Sequence, residues 1–134
     1  MDIIQVKTKG HYDFINITEL VSDSLAQSEL VDGAVLIFVS GSTAALTTVE
    51  YEDGVLADIK EVLENIAPEY SDYKHHQKWG DANGAAHIKA ALIGPDLVVP
   101  VQNNKLMLGQ WQEIVLIDFD EKSRNREIII EKLS

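Results

Sequence analysis

Past Gly94-Pro95, a pair that stops a helix, the chain reads as strands to its end: 97–101, 105–108 after an Asn103-Asn104 turn, 112–120, and a last one over 126–131. The first half intersperses strands with helices, so the whole order predicts an α+β domain with a mainly antiparallel sheet or sandwich. Residues 2–9 alternate as a half-buried strand does, with Ile4 and Val6 on one face. An amphipathic helix is expected over 14–30, capped by Thr18 or Asn16, with Leu20, Val21, Leu25 and Leu30 near the helical repeat. Residues 34–39 are a continuous apolar run suited to a buried strand. A second strand, 44–50, follows the Ser40-Gly41-Ser42 break, and the two pair or continue one another across a kink. Asp53-Gly54 opens a second helix to about residue 66, with Leu56, Ile59, Val62, Leu63 and Ile66 as its stripe and Pro68 closing it. A short helix is expected over 85–92. Residues 70–82 lack periodicity and read as a long loop, of a length uncommon in compact domains unless functional or disordered.

A chain of 134 residues, nearly half of them hydrophobic, fits one domain over 1–134 with one core. Its net charge of -11 repels phosphate backbones and anionic lipid, which argues against nucleic acid and membrane as partners. With no cysteine there is neither a disulfide framework nor a thiol nucleophile, and no apolar run approaches the roughly 20 residues that span a bilayer. The expected location is the cytoplasm.

Candidate chemistry concentrates in the second half. His75 and His76 sit in the polar stretch and His87 starts the short helix, a spacing that lets imidazoles converge if the stretch folds back. Two histidines and a carboxylate, Glu50 or Asp81, would suit zinc or a similar divalent ion. The plainer alternative leaves two histidines solvated and one capping a helix. The Ser40-Gly41-Ser42-Thr43 break can offer backbone amides and hydroxyls to an anionic oxygen, or it can be a bulge whose Ser and Thr serve their own backbone. It lacks the lysine and glycine spacing of a phosphate loop. Glu50 is a candidate general base or metal-facing acid. In Gly109-Gln110-Trp111-Gln112 the indole can pack on a neighbour while the amides reach a ligand or a partner subunit, or the Trp is a sheet-corner residue. Lys122, Arg124 and Arg126 read as a solvated basic turn, and His11 and Trp79 receive no assignment.

Taken together, Phe38-Val39-Ser40-Gly41-Ser42-Thr43-Ala44-Ala45-Leu46-Thr47 with Glu50, Tyr73-Lys74-His75, Asn83-Gly84-Ala85-Ala86-His87-Ile88 and Leu108-Gly109-Gln110-Trp111-Gln112 resemble the YjbQ-type family over essentially the full length. The resemblance implies a compact α+β fold, a homotrimer with sites at or near subunit boundaries, and a thiamine phosphate synthase-like side activity. It implies a polar pocket of Thr43, Glu50, His75, Asn83 and His87, with Trp111 and Gln112 near the wall. On this reading Glu50, His87 and Asn83 carry catalysis, His75, His87 and Glu50 hold the divalent ion, and Ser42, Thr43, Trp111 and Gln112 meet a phosphorylated substrate. One departure stands out: the family commonly has His-Thr-Thr or His-Thr-Ser where this chain has Gly41-Ser42-Thr43. An imidazole is missing there, and His76 is the residue to examine as its replacement. Three functions compete: an enzyme forming a C–N bond between a pyrimidine pyrophosphate and a thiazole phosphate with metal assistance, a non-catalytic trimer holding an anion or metal, and a purely structural subunit.

Overall fold

The structure, a computed structural model, describes residues 1–134 apart from the side chain of Trp79. The strands are β1 (Asp2–Lys7), β2 (Asp13–Asn16), β3 (Gly33–Ser40), β4 (Ala44–Val49), β5 (Asp96–Gln102), β6 (Lys105–Leu106), β7 (Glu113–Asp118) and β8 (Asn125–Leu133). The helices are α1 (Thr18–Ala26), α2 (Asp53–Ile66), α3 (Lys74–Trp79) and α4 (Gly84–Ile93). Two antiparallel sheets form, one in the order β1-β8-β3-β5-β6 and one in the order β2-β7-β4, so the expected α+β architecture holds.

Alternation decides what each strand buries. Val35, Ile37 and Val39 of β3 and Ile128 and Ile130 of β8 meet Leu46 of β4 and Ile114 and Leu116 of β7 between the sheets, with Val21 and Leu25 of α1 in the same cluster. β7 is buried from Ile114 through Asp118, because Val115 and Ile117 on its other face pack with Leu63 of α2 and Ala86 and Ala90 of α4. A strand covered on both faces reads as a run, not an alternation. Three layers result: large sheet, small sheet, helices.

The helix expected over 14–30 divides in two. Phe14 and Ile15 pair with Ile117 and Leu116 as part of β2, and the Asn16 side chain accepts from the Thr18 N–H at 3.0 Å to start α1. The loop expected over 70–82 contains α3, which ends at Gly80 with φ 70°, a left-handed conformation that glycine adopts without strain. β3 and β4 lie in different sheets, so they continue one another across a corner at residues 41–43 and do not pair. The turn after α4 ties that corner together: the Val39 N–H donates to the Pro95 carbonyl (2.9 Å) and the Leu46 N–H to the Gly94 carbonyl (3.0 Å). One turn thereby joins both sheets and fixes α4 beside the corner. Among the described residues no helix is long and apolar enough to cross a membrane.

Candidate functional site

α3 is short and polar, and what holds it is α4. The His76 ring accepts at Nε2 from the Gly84 N–H (2.9 Å), which places the ring proton on Nδ1. Gly84 is buried, and a Cβ there would fall 2.7 Å from the Tyr73 Cβ, so only glycine lets the two segments meet this closely. His76 is thus a structural acceptor, and it does not stand in for an imidazole at position 41.

This packing brings His75 against His87, with ring centroids 4.6 Å apart. His75 Nδ1 lies 2.9 Å from Asp81 Oδ1, yet both atoms are buried and neither completes an aligned hydrogen bond. The two atoms stand at ion-pair distance without forming a hydrogen bond, so both polar atoms are buried lacking one. Asn83 Oδ1 is a third buried atom without a hydrogen bond. His87 is held below the ordinary histidine range, first by burial and then by the neighbouring His75, against the opposing pull of Asp120 and Asp81. It is the neutral base of the cluster near pH 7.

Beneath the histidines runs a buried ionic layer. Arg126 donates through Nε and Nη2 to the Asp118 carboxylate (2.7 and 2.9 Å) and through Nη2 to Thr43 Oγ1 (2.6 Å). Thr43 donates to Asp120 Oδ2 (2.8 Å), which also accepts from Arg124 Nε (2.8 Å). Burial would raise the Asp120 carboxyl, but the bonds from Thr43, Arg124 and the Glu121 amide outweigh it and keep the group ionised. Asn83 Nδ2 reaches Asp120 Oδ1 at 3.4 Å and links this layer to the start of α4.

Beside His87 opens a cleft of about 280 Å³ lined by Gly41, Ser42, Ala44, Ala90 and Pro95 among others. A larger hollow of about 570 Å³, lined by Thr18, Asp23, Asn104 and Leu108 among others, contains no imidazole. Of these two hollows only the smaller is lined by an imidazole, that of His87.

Of the residues expected to share a pocket, Ser42 and His87 line the cleft, His75 lies against His87, and Asn83 is tied to Asp120 at the start of α4. Thr43 is buried, and its hydroxyl is committed to Asp120 and Arg126, so it supports the corner and offers nothing to a ligand. Glu50, Trp111 and Gln112 are placed elsewhere. The register pairs Ala44 with Asp118 at the histidine end and Val49 with Glu113 at the other, five residues or about 17 Å along the strands. Glu50 follows Val49, exposed, and Gln112 turns back onto the Gly109 N–H (2.7 Å) and Thr48 Oγ1 (3.4 Å). Within one chain, Asp81 is the carboxylate at His75, and Glu50 is not.

Residues 2–134 match the family described as UPF0047 protein YjbQ-like. The chain belongs to that family. A UPF0047 protein of Archaeoglobus fulgidus is 39% identical over 130 residues, covering 97% of this chain and 98% of its own. UPF0047 protein YugU of Bacillus subtilis is 32% identical over 118 residues, 87% of each chain. Among solved structures, a YjbQ/UPF0047 family protein of Clostridium acetobutylicum matches with TM-score 0.90 and 34% identity over 99% of this chain and 100% of that one. A YbjQ-like protein of unknown function from Sulfolobus solfataricus matches with TM-score 0.92 and 34% identity, over 99% and 95%. In this UPF0047 member Arg126, expected in a solvated basic turn, is instead buried. Its signal was phase: Arg126 stands two residues before Ile128 and four before Ile130, on the inward face of β8.

Proposed function

We propose that this chain is a small-molecule enzyme of the YjbQ type, acting on a phosphorylated substrate beside a divalent cation held by His75, Asp81 and His87, with zinc the ion these donors suit best. The observation that carries the reading is the pair of buried, unsatisfied atoms, His75 Nδ1 and Asp81 Oδ1, 2.9 Å apart. Two ligands bound to one tetrahedral zinc stand about 3.3 Å apart, so this pair needs to open by only a few tenths of an ångström. No three His, Cys, Asp or Glu side chains among the described residues are arranged to hold an ion as they stand, so binding requires His75, Asp81 and His87 to move. When bound, such a cation would neutralise charge gathering on a leaving phosphate group. The chain's own part is clearer: neutral His87 offers its single lone pair to the cation, and Asn83 Oδ1 is free to orient a donor beside it.

Thiamine phosphate formation, the activity the family resemblance implies, is the first turnover to assay. The paired experiment is zinc calorimetry and product formation for the parent, Asp81→Asn and His87→Gln. Both variants should lose zinc and turnover while keeping their circular dichroism. Zinc affinity unchanged in folded Asp81→Asn would remove the metal reading. The placement of Glu50 away from the histidines favours one alternative, a non-catalytic metal- or anion-binding trimer. Zinc binding without turnover of any phosphorylated substrate would select it. The homotrimer draws support from apolar side chains left outside: Ile3, Phe38 and Val98 on the outer face of the large sheet, and Trp111, 66% exposed, at the far end of β7.

A further inference from the structure

Helix α2 carries more apolar surface than the fold uses. Of its 14 residues only Leu63 is buried. Val55, Ile59, Val62 and Ile66 follow the i, i+4, i+7, i+11 spacing of one helical face, and Val62 and Ile66 are each more than half exposed. A helix ordinarily turns such a stripe to a core, and here its second half is open to solvent.

The stripe borders a groove of about 370 Å³, walled by Val55, Ile59, Val62 and Leu63 of α2 and by Ile93 of α4, with Asp58 as its polar residue. Lys89, buried on α4, donates to Glu64 of α2 (3.0 Å) and fixes the two helices beside each other, so the groove is formed in advance. On α4, His87, Ala90 and Ala91 face the cleft beside His87, which leaves Ile88 and Leu92, four residues apart and exposed, on the flank toward α2.

Charge selects the occupant. Asp58 lines the groove and Glu61, three residues on, extends the same edge, both exposed. The one cation of α2, Lys60, reaches over the Tyr12 ring at 5.4 Å, and the one lysine of α4 is spent on Tyr12 and Glu64. A second copy docking through this same surface would set Asp58 and Glu61 against themselves, and an anionic lipid surface would meet the same acids. A partner of opposite charge meets neither obstacle.

We infer that the groove between α2 and α4 docks a cationic amphipathic helix of a protein partner, whose apolar residues at i, i+4 and i+7 fill it while lysine or arginine on the flank meets Asp58 and Glu61. The inference does not depend on the His87 site, because the groove shares no residue with the cleft beside it.

The probe is a fluorescein-labelled helix of about 18 residues, five turns, with leucine along one face and lysine elsewhere, titrated with the full chain and read by fluorescence anisotropy. A net charge of -11 attracts any cationic peptide, so a scramble of the same composition without the leucine face is one control, and a leucine–glutamate helix is the other. The leucine–lysine helix should bind about tenfold more tightly than either control, and methyl NMR of the parent should place the shifts on Val55, Ile59, Val62 and Ile93. Val62→Ser combined with Ile66→Ser alters only exposed positions, so the circular dichroism should stay parental while binding weakens about tenfold or more. Glu61→Lys should weaken the lysine helix and tighten the glutamate one. No binding by the parent, equal binding of either control, methyl shifts away from the groove, or undiminished binding in the folded double variant would each overturn the assignment. A change of chain mass in the double variant, measured by light scattering, would overturn it as well and give the groove to a second copy.

Discussion

Asp118 and Arg126 face each other between the two sheets, both carboxylate oxygens bonded by one guanidinium, each residue on the inward phase of an otherwise apolar strand. Asp118 follows Ile114 and Leu116 on β7, and Arg126 precedes Ile128 and Ile130 on β8. Removing one partner leaves a buried charge without its counterion, a much larger cost than the pair's net contribution. Arg126→Met should therefore lower unfolding free energy by about 3–5 kcal/mol in urea titration, and adding Asp118→Leu should restore most of it. A single-variant loss below about 1 kcal/mol would mean that water reaches the pair.

Gly84 is the second point at which the site depends on fit. Its Cβ would meet the Tyr73 Cβ at 2.7 Å and the His76 Nε2 at 3.0 Å, and neither can retreat without moving α3. Gly84→Ala should cost about 1–3 kcal/mol by overpacking, despite alanine's better helix propensity. Because α3 carries His75, zinc affinity should fall with it, although position 84 offers no ligand. Calorimetry and thermal melting on the same sample check both, and a stabilised variant with parental zinc affinity would show that α3 is not clamped there.

The parts of the fold that sequence made legible are those whose burial is one-sided or complete along a whole element. β3, β5 and β8 show their phase, whereas the stripe expected on α2 is only partly used: Leu63 is buried, Leu56 and Ile59 are half-buried, and Val62 and Ile66 are exposed. Helix α3 was invisible because Lys74, His75, His76, Gln77 and Lys78 have no apolar stripe, and its support comes from Gly84 eight residues after His76. β2 was misread because Phe14 and Ile15 continue an apolar spacing into α1, while their partners Ile117 and Leu116 lie a hundred residues on. The convergence of His75 on His87 followed from loop polarity, whereas the separation of Glu50 from them depends on the register of β4 on β7, which no local pattern encodes.

Trp111 presents two-thirds of its surface to solvent in the single chain, an arrangement that wastes the largest side chain available. In the proposed homotrimer it should be covered. Light scattering at micromolar concentration should give three times the chain mass, and Trp111→Ala should shift that mass toward the monomer, as loss of an aromatic anchor costs about 2 kcal/mol or more. A parental monomer would remove the assembly, and a trimer of undiminished stability in Trp111→Ala would move the interface elsewhere.

His87 and His11 should bend the pH dependence of stability in opposite directions. The folded value of His87 is depressed below the ordinary 6.5, mainly by burial, so the unfolded chain takes up a proton that the folded chain resists. Its contribution is full above pH 6.5 and is lost as pH falls from there through the folded value. His11 is raised, first by its bond to Glu69, so its contribution is present below 6.5 and is lost as pH rises through its folded value. His11 is nearly half exposed, which keeps its share small. Between about pH 7 and pH 5 the parent's Tm should fall more steeply than that of His87→Gln, while His11→Gln should flatten the decline between about pH 6.5 and pH 8. Parallel curves for the parent and His87→Gln on the acid side would show that the imidazole of His87 is solvated when the protein is folded, and would withdraw it from the role of neutral base.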